Sequence, residues 1–321
     1  MSAPPPPLDA ATLTSAEVLR VRGLLRAARY REEVAAKPDQ DPCRGARGGI
    51  WFKQLTLGDG RGVARKQDVR DAAEEKVFGA AAQMKNLIYL VGDIVSRQCV
   101  CIDAAWDVRG IARVAAEHKM ALVGAIATHH HWDHTGGFLE NTPFQAMVHG
   151  PFAGKLANGV RPRLCGMYEM RAEHSCTLYA HKKDIAPIAR NIGVATGEVE
   201  ELGHKSRVPL GRAGHLEVLH TPGHSRGSIC LCVVEAGARS PRAVVTGDTI
   251  FPRSTGRLDC EDSSVEEMYD SVRTLRALDP ATEIYPGHSY NGLKSTIGRE
   301  KTEGMLQDFT KQDWMFMMKP R

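Results

Sequence analysis

The 321-residue chain lacks several features that would assign its class at once. Its eight cysteines include no Cys-x-x-Cys pair, which argues against a thiolate zinc knuckle and against a dithiol redox motif. Its 42 basic and 38 acidic residues are interspersed, so it has no basic stripe of the kind that binds nucleic acid. No apolar run reaches the roughly 18 residues that cross a bilayer. We therefore expect neither a nucleic acid nor a membrane as partner.

The N-terminal region also lacks the pattern of a secretory signal. Residues 1–18 contain neither the basic segment nor the apolar run of such a peptide, and acidic residues among the first 33 positions are unlike an organellar import peptide. We expect a cytoplasmic protein, with organellar import as the alternative. A helix is expected to begin near Thr14. Its apolar face would pack either on the main domain or on a second copy of the chain in a homo-oligomer.

The cysteines that are present occur mainly as residues two apart in apolar runs. Cys99 and Cys101 form one such pair, and Cys230 and Cys232 form another. Side chains two apart share one face of a strand, and free cysteine behaves as a small hydrophobic residue. These four thiols are therefore expected to be buried and inert.

From about residue 50, short apolar runs alternate with glycine and aspartate. Residues 86–93 and 99–103 are typical of a strand hairpin, a helix is expected from about Asp107, and an apolar strand then leads to His129. A second strand, helix, strand unit extends from residue 243 to 288, with its helix beginning at Ser264. This alternation indicates an α/β fold.

The same patterns divide the chain into three segments. Residues 1–45 are expected to form a proline-rich segment and a helical extension, residues 46–300 the main domain, and residues 301–321 a short tail. Within the main domain, residues 141–180 contain glycines and methionines in irregular sequence. A lid insertion is expected there, with residues 151–180 as a mobile cover that helps to select substrate.

The densest chemistry lies in the sequence THHHWDHTGG at residues 128–137. Four potential ligands follow directly after a predicted strand, and strand ends are where α/β proteins bind ligands. On an extended backbone His129 and His131 point the same way, whereas His130 points away and is excluded. The retained ligands can serve two ions: His129, His131, Asp133 and His134.

Three further candidate ligands each follow an apolar run and have a glycine beside them. They are His224 in HTPGH, Asp248 in TGD and His288 in YPGH. Each sequence alone is an ordinary turn, but together with the histidine cluster they predict one shared centre. Imidazole and carboxylate ligands without thiolate indicate a catalytic site for two divalent ions, with zinc preferred and iron or manganese as alternatives.

The ordered set of Asp103, THHHWDH, TPGH, TGD and YPGH resembles the five motifs of the metallo-β-lactamase superfamily, over roughly residues 80–300. Within it, HHHWDHTGG and GDTIFPRSTGRL resemble the glyoxalase II branch, whose members are hydroxyacylglutathione hydrolases, and its relatives. The resemblance implies a four-layer αββα sandwich with the metals at one edge of two facing sheets.

The resemblance also implies a role for each ligand. His129, His131 and His224 correspond to one metal site, and Asp133, His134 and His288 correspond to the other. The remaining assignments are the bridging ligand Asp248, the supporting carboxylate Asp103, a catalytic role for Asp133, and the substrate contacts Arg257 and Tyr290. Asp259 stands where that branch has a second tyrosine.

The expected activity is metal-dependent hydrolysis of an acyl bond, with a small-molecule thioester such as S-2-hydroxyacylglutathione as substrate and a metal-bound hydroxide as nucleophile. One alternative is a mononuclear iron persulfide dioxygenase that uses His129, His224 and Asp248. The other is a non-catalytic, metal-stabilised interaction protein that assembles through its N-terminal helix and residues 314–318.

Overall fold

In a computed structural model of the chain, two six-stranded sheets lie face to face and carry helices on their outer faces. The structure describes residues 15–36, 41, 43, 47–57, 63, 72–142, 145 and 163–318. Its helices are α1 (Ser15–Ala36), α2 (Ala72–Met84), α3 (Val108–Glu117), α4 (Trp132–Thr135), α5 (Met167–His174), α6 (Ile185–Ile192), α7 (Val265–Arg276), α8 (Ile297–Glu303) and α9 (Lys311–Met317). Its strands are β1 (Ile50–Thr56), β2 (Leu87–Asp93), β3 (Gln98–Ile102), β4 (Ala121–Ile126), β5 (Gly137–Phe138), β6 (Arg163–Leu164), β7 (Thr177–His181), β8 (Val199–Leu202), β9 (Arg207–Leu210), β10 (Gly214–His220), β11 (Ile229–Glu235), β12 (Ala243–Gly247), β13 (Glu283–Pro286) and β14 (Ser295–Thr296).

Both sheets are mixed and contain neighbouring parallel strands connected through helices: β3, β4, β7 and β8 run parallel in the first sheet, and β12 and β13 in the second. The first sheet has the order β1-β2-β3-β4-β7-β8, and its β3 and β4 are parallel and joined by α3. The second has the order β14-β13-β12-β11-β10-β9, and its β12 and β13 are parallel and joined by α7. The predicted αββα architecture and both strand, helix, strand units are confirmed.

The alternation of side chains along β2 shows how the layers are held together. Tyr89 and Val91 pack between the two sheets, whereas Ile88 and Leu90 pack against the outer helices. Because both faces are covered, every residue of β2 is buried, and its sequence is apolar almost throughout. The paired cysteines are buried as expected, and burial raises the pKa of each thiol: Cys99, Cys101, Cys230 and Cys232.

The end of the described chain is part of the helical layer on the second sheet. Trp314 is fully buried against α7, and its indole Nε1 donates a hydrogen bond to the Val265 carbonyl at 3.0 Å. The expected tail is therefore wrong for residues 301–318, and the boundary at residue 300 falls inside α8. The short apolar run at residues 314–318 does not reveal that Trp314 packs on a helix whose Val265 lies 49 positions earlier in the chain.

The N-terminal helix α1 packs on the first sheet, where it contacts β3, β4 and β7. Ala27 is fully buried, and Lys119 donates to Glu33 at 2.6 Å across this contact. The helix was expected to pack either on the main domain or on a second copy of the chain. The part of α1 whose side chains are described packs on the main domain. The described helix begins at Ser15, and Thr14, near which the helix was expected to begin, lies outside the described residues.

The expected lid is wrong for residues 163–180. This part contains β6, α5 and most of β7, and β7 lies inside the first sheet between β4 and β8. Met167 and Met170 are fully buried in the core, where their flexible side chains fill space behind the sheet. Residues 151–162 of the expected lid lie outside the described residues.

None of the helices in the described ranges combines the length and the apolar character that crossing a bilayer requires.

Candidate metal centre

The predicted ligands meet at one edge of the sandwich because they follow strands that end there. Asp103 directly follows β3, His129 lies three residues after β4, and Asp248 directly follows β12. His288 lies two residues after β13, and His224 lies four residues after β10. Neighbouring parallel strands deliver their carboxyl ends to the same edge, so residues distant in sequence converge there.

Three histidines form what we call the first group: His129, His131 and His224. Their candidate ligand atoms all lie within 4.8 Å of one another, and His131 Nδ1 is 3.0 Å from His224 Nε2. His224 Nδ1 lies 2.9 Å from the Arg257 carbonyl oxygen, which can only accept a hydrogen bond. The Nδ1 atom therefore carries the proton, and Nε2 faces the group with a free lone pair.

The second group consists of Asp133, His134 and His288, whose candidate ligand atoms also all lie within 4.8 Å of one another. His134 Nδ1 lies 2.9 Å from Asp103 Oδ2, and His288 Nδ1 lies 2.6 Å from the Met84 carbonyl oxygen. Both rings therefore use Nδ1 to hold their orientation. Their Nε2 atoms face each other at 3.1 Å.

Asp248 lies between the two groups and contacts both. Its Oδ2 is 3.5 Å from His224 Nε2 and 3.3 Å from His288 Nε2, and its Oδ1 is 3.4 Å from His134 Nε2. A carboxylate in this position can coordinate one ion on each side.

The unsatisfied atoms at this centre fit bound cations. His129 Nε2 and Asp248 Oδ1 are buried and have no hydrogen-bond partner, which carries a free-energy cost in a protein interior. Around them, imidazole nitrogens with free lone pairs approach one another to about 3 Å, where they repel unless a cation or a proton lies between them. The buried histidine and aspartate clusters are consistent with a binuclear metal site.

Protonation in the first group also suits metal binding. Burial lowers the pKa of His129 well below its usual value, and neighbouring imidazoles lower it further. Burial and His224 lower the pKa of His131 to about 3. Both rings are therefore neutral near pH 7, which is the form that binds a metal.

Protonation in the second group is a balance between burial and charge. Burial alone would raise the pKa of Asp133 and of Asp248, but His134 and His288 lower both carboxyl pKa values well below the usual range. Burial alone would lower the pKa of His134 and of His288, but the carboxylates outweigh it and raise both. The negative charge that raises the two histidine pKa values would also favour a divalent cation at this position.

Asp103 supports the ligand loop from behind. Its Oδ1 accepts from the Thr128 backbone N–H at 2.8 Å, and its Oδ2 accepts from the Thr128 hydroxyl at 2.8 Å and contacts His134 Nδ1. One buried carboxylate thus fixes the start of the loop and the ring that follows on α4. A carboxylate in this position can orient the candidate ligands in front of it.

The glycines beside three ligands are required for two different reasons. Gly223 and Gly247 have φ values of +141° and +48°, which other residues rarely adopt. Gly287 has no such torsion, but a Cβ there would lie 2.3 Å from Asp248 Oδ1. The sharp turn expected at all three sites is therefore found at two, and at Gly287 the constraint is the close approach of Asp248.

Asn86 belongs to the centre and was missed by the sequence analysis. It is 2% exposed, its Nδ2 donates to Asp133 Oδ2 at 3.0 Å, and its Oδ1 accepts from Trp106 Nε1 at 3.2 Å. The available signal was a polar residue immediately before the apolar strand β2. Such a residue usually marks a turn, and its contact with Asp133 spans 47 positions.

His130 lies outside both groups. Its Nδ1 is 3.3 Å from Asp184 Oδ2, and its Nε2 is 3.7 Å from Asp262 Oδ2. His130, His131 and Asp262 also have a spacing that could hold an ion, but these three are only partly buried, and His131 already contacts His224.

Arg257 and Tyr290 lie beside the centre. The Tyr290 ring stacks on His288, with centroids 4.7 Å apart and an interplanar angle of 7°, and Tyr290 is 46% exposed. The Arg257 backbone holds His224, while its exposed guanidinium forms a two-pronged pair with Asp259 at 2.8 and 3.2 Å.

Comparison with known proteins identifies the family. The sequence profile of the metallo-beta-lactamase superfamily matches residues 85–288, and the chain belongs to this superfamily. It is 26% identical over 207 residues to the probable polyketide biosynthesis zinc-dependent hydrolase PksB of Bacillus subtilis (strain 168), covering 64% of this chain and 73% of that protein. It is also 26% identical over 235 residues to the cytoplasmic hydroxyacylglutathione hydrolase of Arabidopsis thaliana, covering 72% of this chain and 75% of that protein.

A solved structure supports the fold. The metallo-beta-lactamase from Staphylococcus aureus subsp. aureus COL superposes with a TM-score of 0.59 at 20% sequence identity, over 85% of this chain and 68% of that one. The resemblance to the superfamily that the motifs indicated is confirmed.

The contrast between two adjacent histidines provides a test of the ligand assignment. His131→Ala is expected to lose at least one ion per chain, because His131 belongs to the first group. His130→Ala is expected to retain the wild-type metal content at saturating zinc, because its ring is directed toward Asp184 and Asp262. Elemental analysis after gel filtration measures both. Loss of metal from His130→Ala together with full content in His131→Ala would contradict the assignment.

Proposed function

We propose that the protein is a metal-dependent hydrolase that cleaves the acyl bond of a thioester, of which S-2-hydroxyacylglutathione is the representative substrate. The observation that carries the proposal is the pair of three-residue groups joined by Asp248. Two relatives whose names include hydrolase support it, one of them a hydroxyacylglutathione hydrolase.

Two divalent ions, with zinc preferred, would supply a nucleophile from water near neutral pH and a Lewis acid for the acyl oxygen. The chain's own task is to hold the ligands in their metal-binding forms. Asp103, the Arg257 carbonyl and the Met84 carbonyl fix three imidazole rings so that Nε2 of each faces the centre. A ligand set oriented before the substrate arrives needs little rearrangement during the reaction.

Asp133 is proposed to take part in the reaction as well as in holding the second group. Its contacts with Asn86, His134 and His288 all involve Oδ2. Its other oxygen, Oδ1, is the atom that we propose accepts a proton from the attacking water. The low carboxyl pKa keeps this group ionised before the reaction. A thiolate leaves without prior protonation, so thioester cleavage needs no strong general acid.

The second group favours hydrolysis over the alternative persulfide dioxygenase. A mononuclear iron site would need only His129, His224 and Asp248. The structure buries Asp133, His134 and His288 beside them. Burying these ionisable groups costs free energy unless they are paired or bind a metal. A second ion would use all three as ligands, whereas a mononuclear site would leave them paired only with one another, with Asp103 and with Asn86.

The carrier end of the substrate is proposed to bind beside Arg257 and Tyr290. The exposed Tyr290 ring offers an apolar face next to the second group. The guanidinium of Arg257 can grip a carboxylate in a two-pronged arrangement, which Asp259 currently supplies. Exposed ion pairs contribute little to stability, so a substrate carboxylate can displace Asp259.

The proposed reaction is tested by following loss of thioester absorbance with S-2-hydroxyacylglutathione as substrate. The wild type is expected to hydrolyse it, and Asp248→Ala is expected to lose more than ~100-fold in rate, since replacing even outer-shell partners of metals costs 10–100-fold. Asp308→Ala is the matched control, because Asp308 is a surface carboxylate on the outer helical layer. Oxygen consumption with glutathione persulfide, without thioester hydrolysis, would contradict the proposal and support the dioxygenase.

The role of Arg257 is tested by comparing two kinds of thioester. Arg257→Ala is expected to raise KM for carboxylate-bearing thioesters more than for neutral ones, with metal content and kcat unchanged, because the substitution removes binding without touching the ligands. Asp259→Ala is the matched variant. It frees the same guanidinium and is expected to lower KM for the carboxylate-bearing substrates. Equal effects of Arg257→Ala on both kinds of thioester would remove Arg257 from the binding site.

A further inference from the structure

Asp184 is a buried carboxylate that neither group uses as a ligand. It is 2% exposed and occupies the position immediately before α6. A carboxylate at this position commonly caps the helix by accepting from a backbone N–H, but the Asp184 side chain makes no such bond. Its burial therefore has another explanation, since buried carboxylates are costly unless they have partners.

The partners of Asp184 are immediate neighbours of ligands in the first group. Its Oδ2 accepts a hydrogen bond from the Ser225 hydroxyl at 3.1 Å, and Ser225 directly follows His224. The same oxygen is 3.3 Å from Nδ1 of His130, which lies between His129 and His131. One carboxylate oxygen thus contacts both loops that supply the first group.

These two loops come from different sheets. The loop of His130 follows β4 in the first sheet, and the turn of Ser225 follows β10 in the second. The ligands that they carry, His131 and His224, approach to 3.0 Å at the centre. The distance between these ligands therefore depends on how the two loops are held across the gap between the sheets.

The turn after His224 is packed closely onto Asp184. A Cβ at Gly227 would lie 2.3 Å from Asp184 Cγ, so a side chain there would displace the turn or the carboxylate. Ser228 closes the turn: its hydroxyl accepts from the Ser225 backbone N–H at 3.0 Å and lies 2.8 Å from the Ser225 hydroxyl. Hydrogen bonds and close packing therefore fix the turn at the point where it contacts Asp184.

We propose that Asp184 is a positioning residue for the first group, which sets the affinity of that group for its ion by fixing the loop of His131 against the turn of His224. The proposal rests on the two-ion site of the proposed function and not on the identity of the substrate. Asp184 makes no contact with the second group, so its effect is confined to one of the two ions. Outer-shell partners of this kind change metal affinity by 10–100-fold when replaced.

The test measures zinc affinity by competition with a chromophoric chelator, in two backgrounds that each leave one group intact. His288→Ala leaves the first group, and His224→Ala leaves the second. Asp184→Asn removes the negative charge but keeps the size of the side chain, and asparagine is also favoured at the position before a helix. It is expected to weaken zinc binding about 10–100-fold in the His288→Ala background and to leave it unchanged in the His224→Ala background.

Asp262→Asn is the matched control, because Asp262 faces the other nitrogen of His130 at 3.7 Å and its side chain is 28% exposed. It is expected to leave zinc affinity unchanged in both backgrounds. Equal weakening by Asp184→Asn in both backgrounds would show general loosening and would overturn the proposal, as would no weakening in either. If Asp184→Asn does not fold, Ser225→Ala removes the hydrogen bond to the same carboxylate oxygen. Its zinc affinity is then compared in the same two backgrounds, with the same expected results. The zinc content of the wild type tests the two-ion site separately.

Discussion

The defining constraint of the structure is that candidate ligand atoms converge at one buried edge of the sandwich without enough hydrogen-bond donors to pair them all. Imidazole nitrogens approach to 3.0 and 3.1 Å, and Asp248 Oδ1 and His129 Nε2 have no hydrogen-bond partner. In the absence of cations this arrangement is unfavourable, because lone pairs and buried carboxylates repel each other. The αββα core supports it by fixing the strands from which the ligand loops extend. Metal binding and the stability of this edge are therefore coupled.

A shell of hydrogen bonds around the ligands sets which atom of each ring faces the centre. Asp103 and the carbonyls of Met84 and Arg257 each accept a hydrogen bond from an imidazole Nδ1, and Asn86 orients Asp133. These partners come from several loops of the two sheets, so the centre is assembled only when the sandwich has closed. The same dependence on long-range contacts explains why Asp184, far from His224 in sequence, can influence the first group.

The convergence of the candidate ligands could be predicted from sequence because each is marked locally, by an apolar strand before it and by a glycine or another candidate ligand beside it. The αββα architecture followed from the motif resemblance, and the alternation of strands and helices agreed with it. Asn86 and Asp184 could not be predicted in the same way, because their roles come from contacts across 47 and 41 positions. The lid and the tail were misjudged for one shared reason. Met167 and Met170 fall in the expected cover and Trp314 in the expected tail, yet each is fully buried in the structure.

The central claim is that the two groups hold one ion each, with Asp248 shared between them. Elemental analysis of protein purified without added metal tests it most directly, since it requires no assumption about the substrate. The account predicts two divalent ions per chain, with zinc as the main metal. A single iron ion per chain would contradict the binuclear centre and favour the mononuclear dioxygenase, and absence of bound metal would contradict the metal site itself.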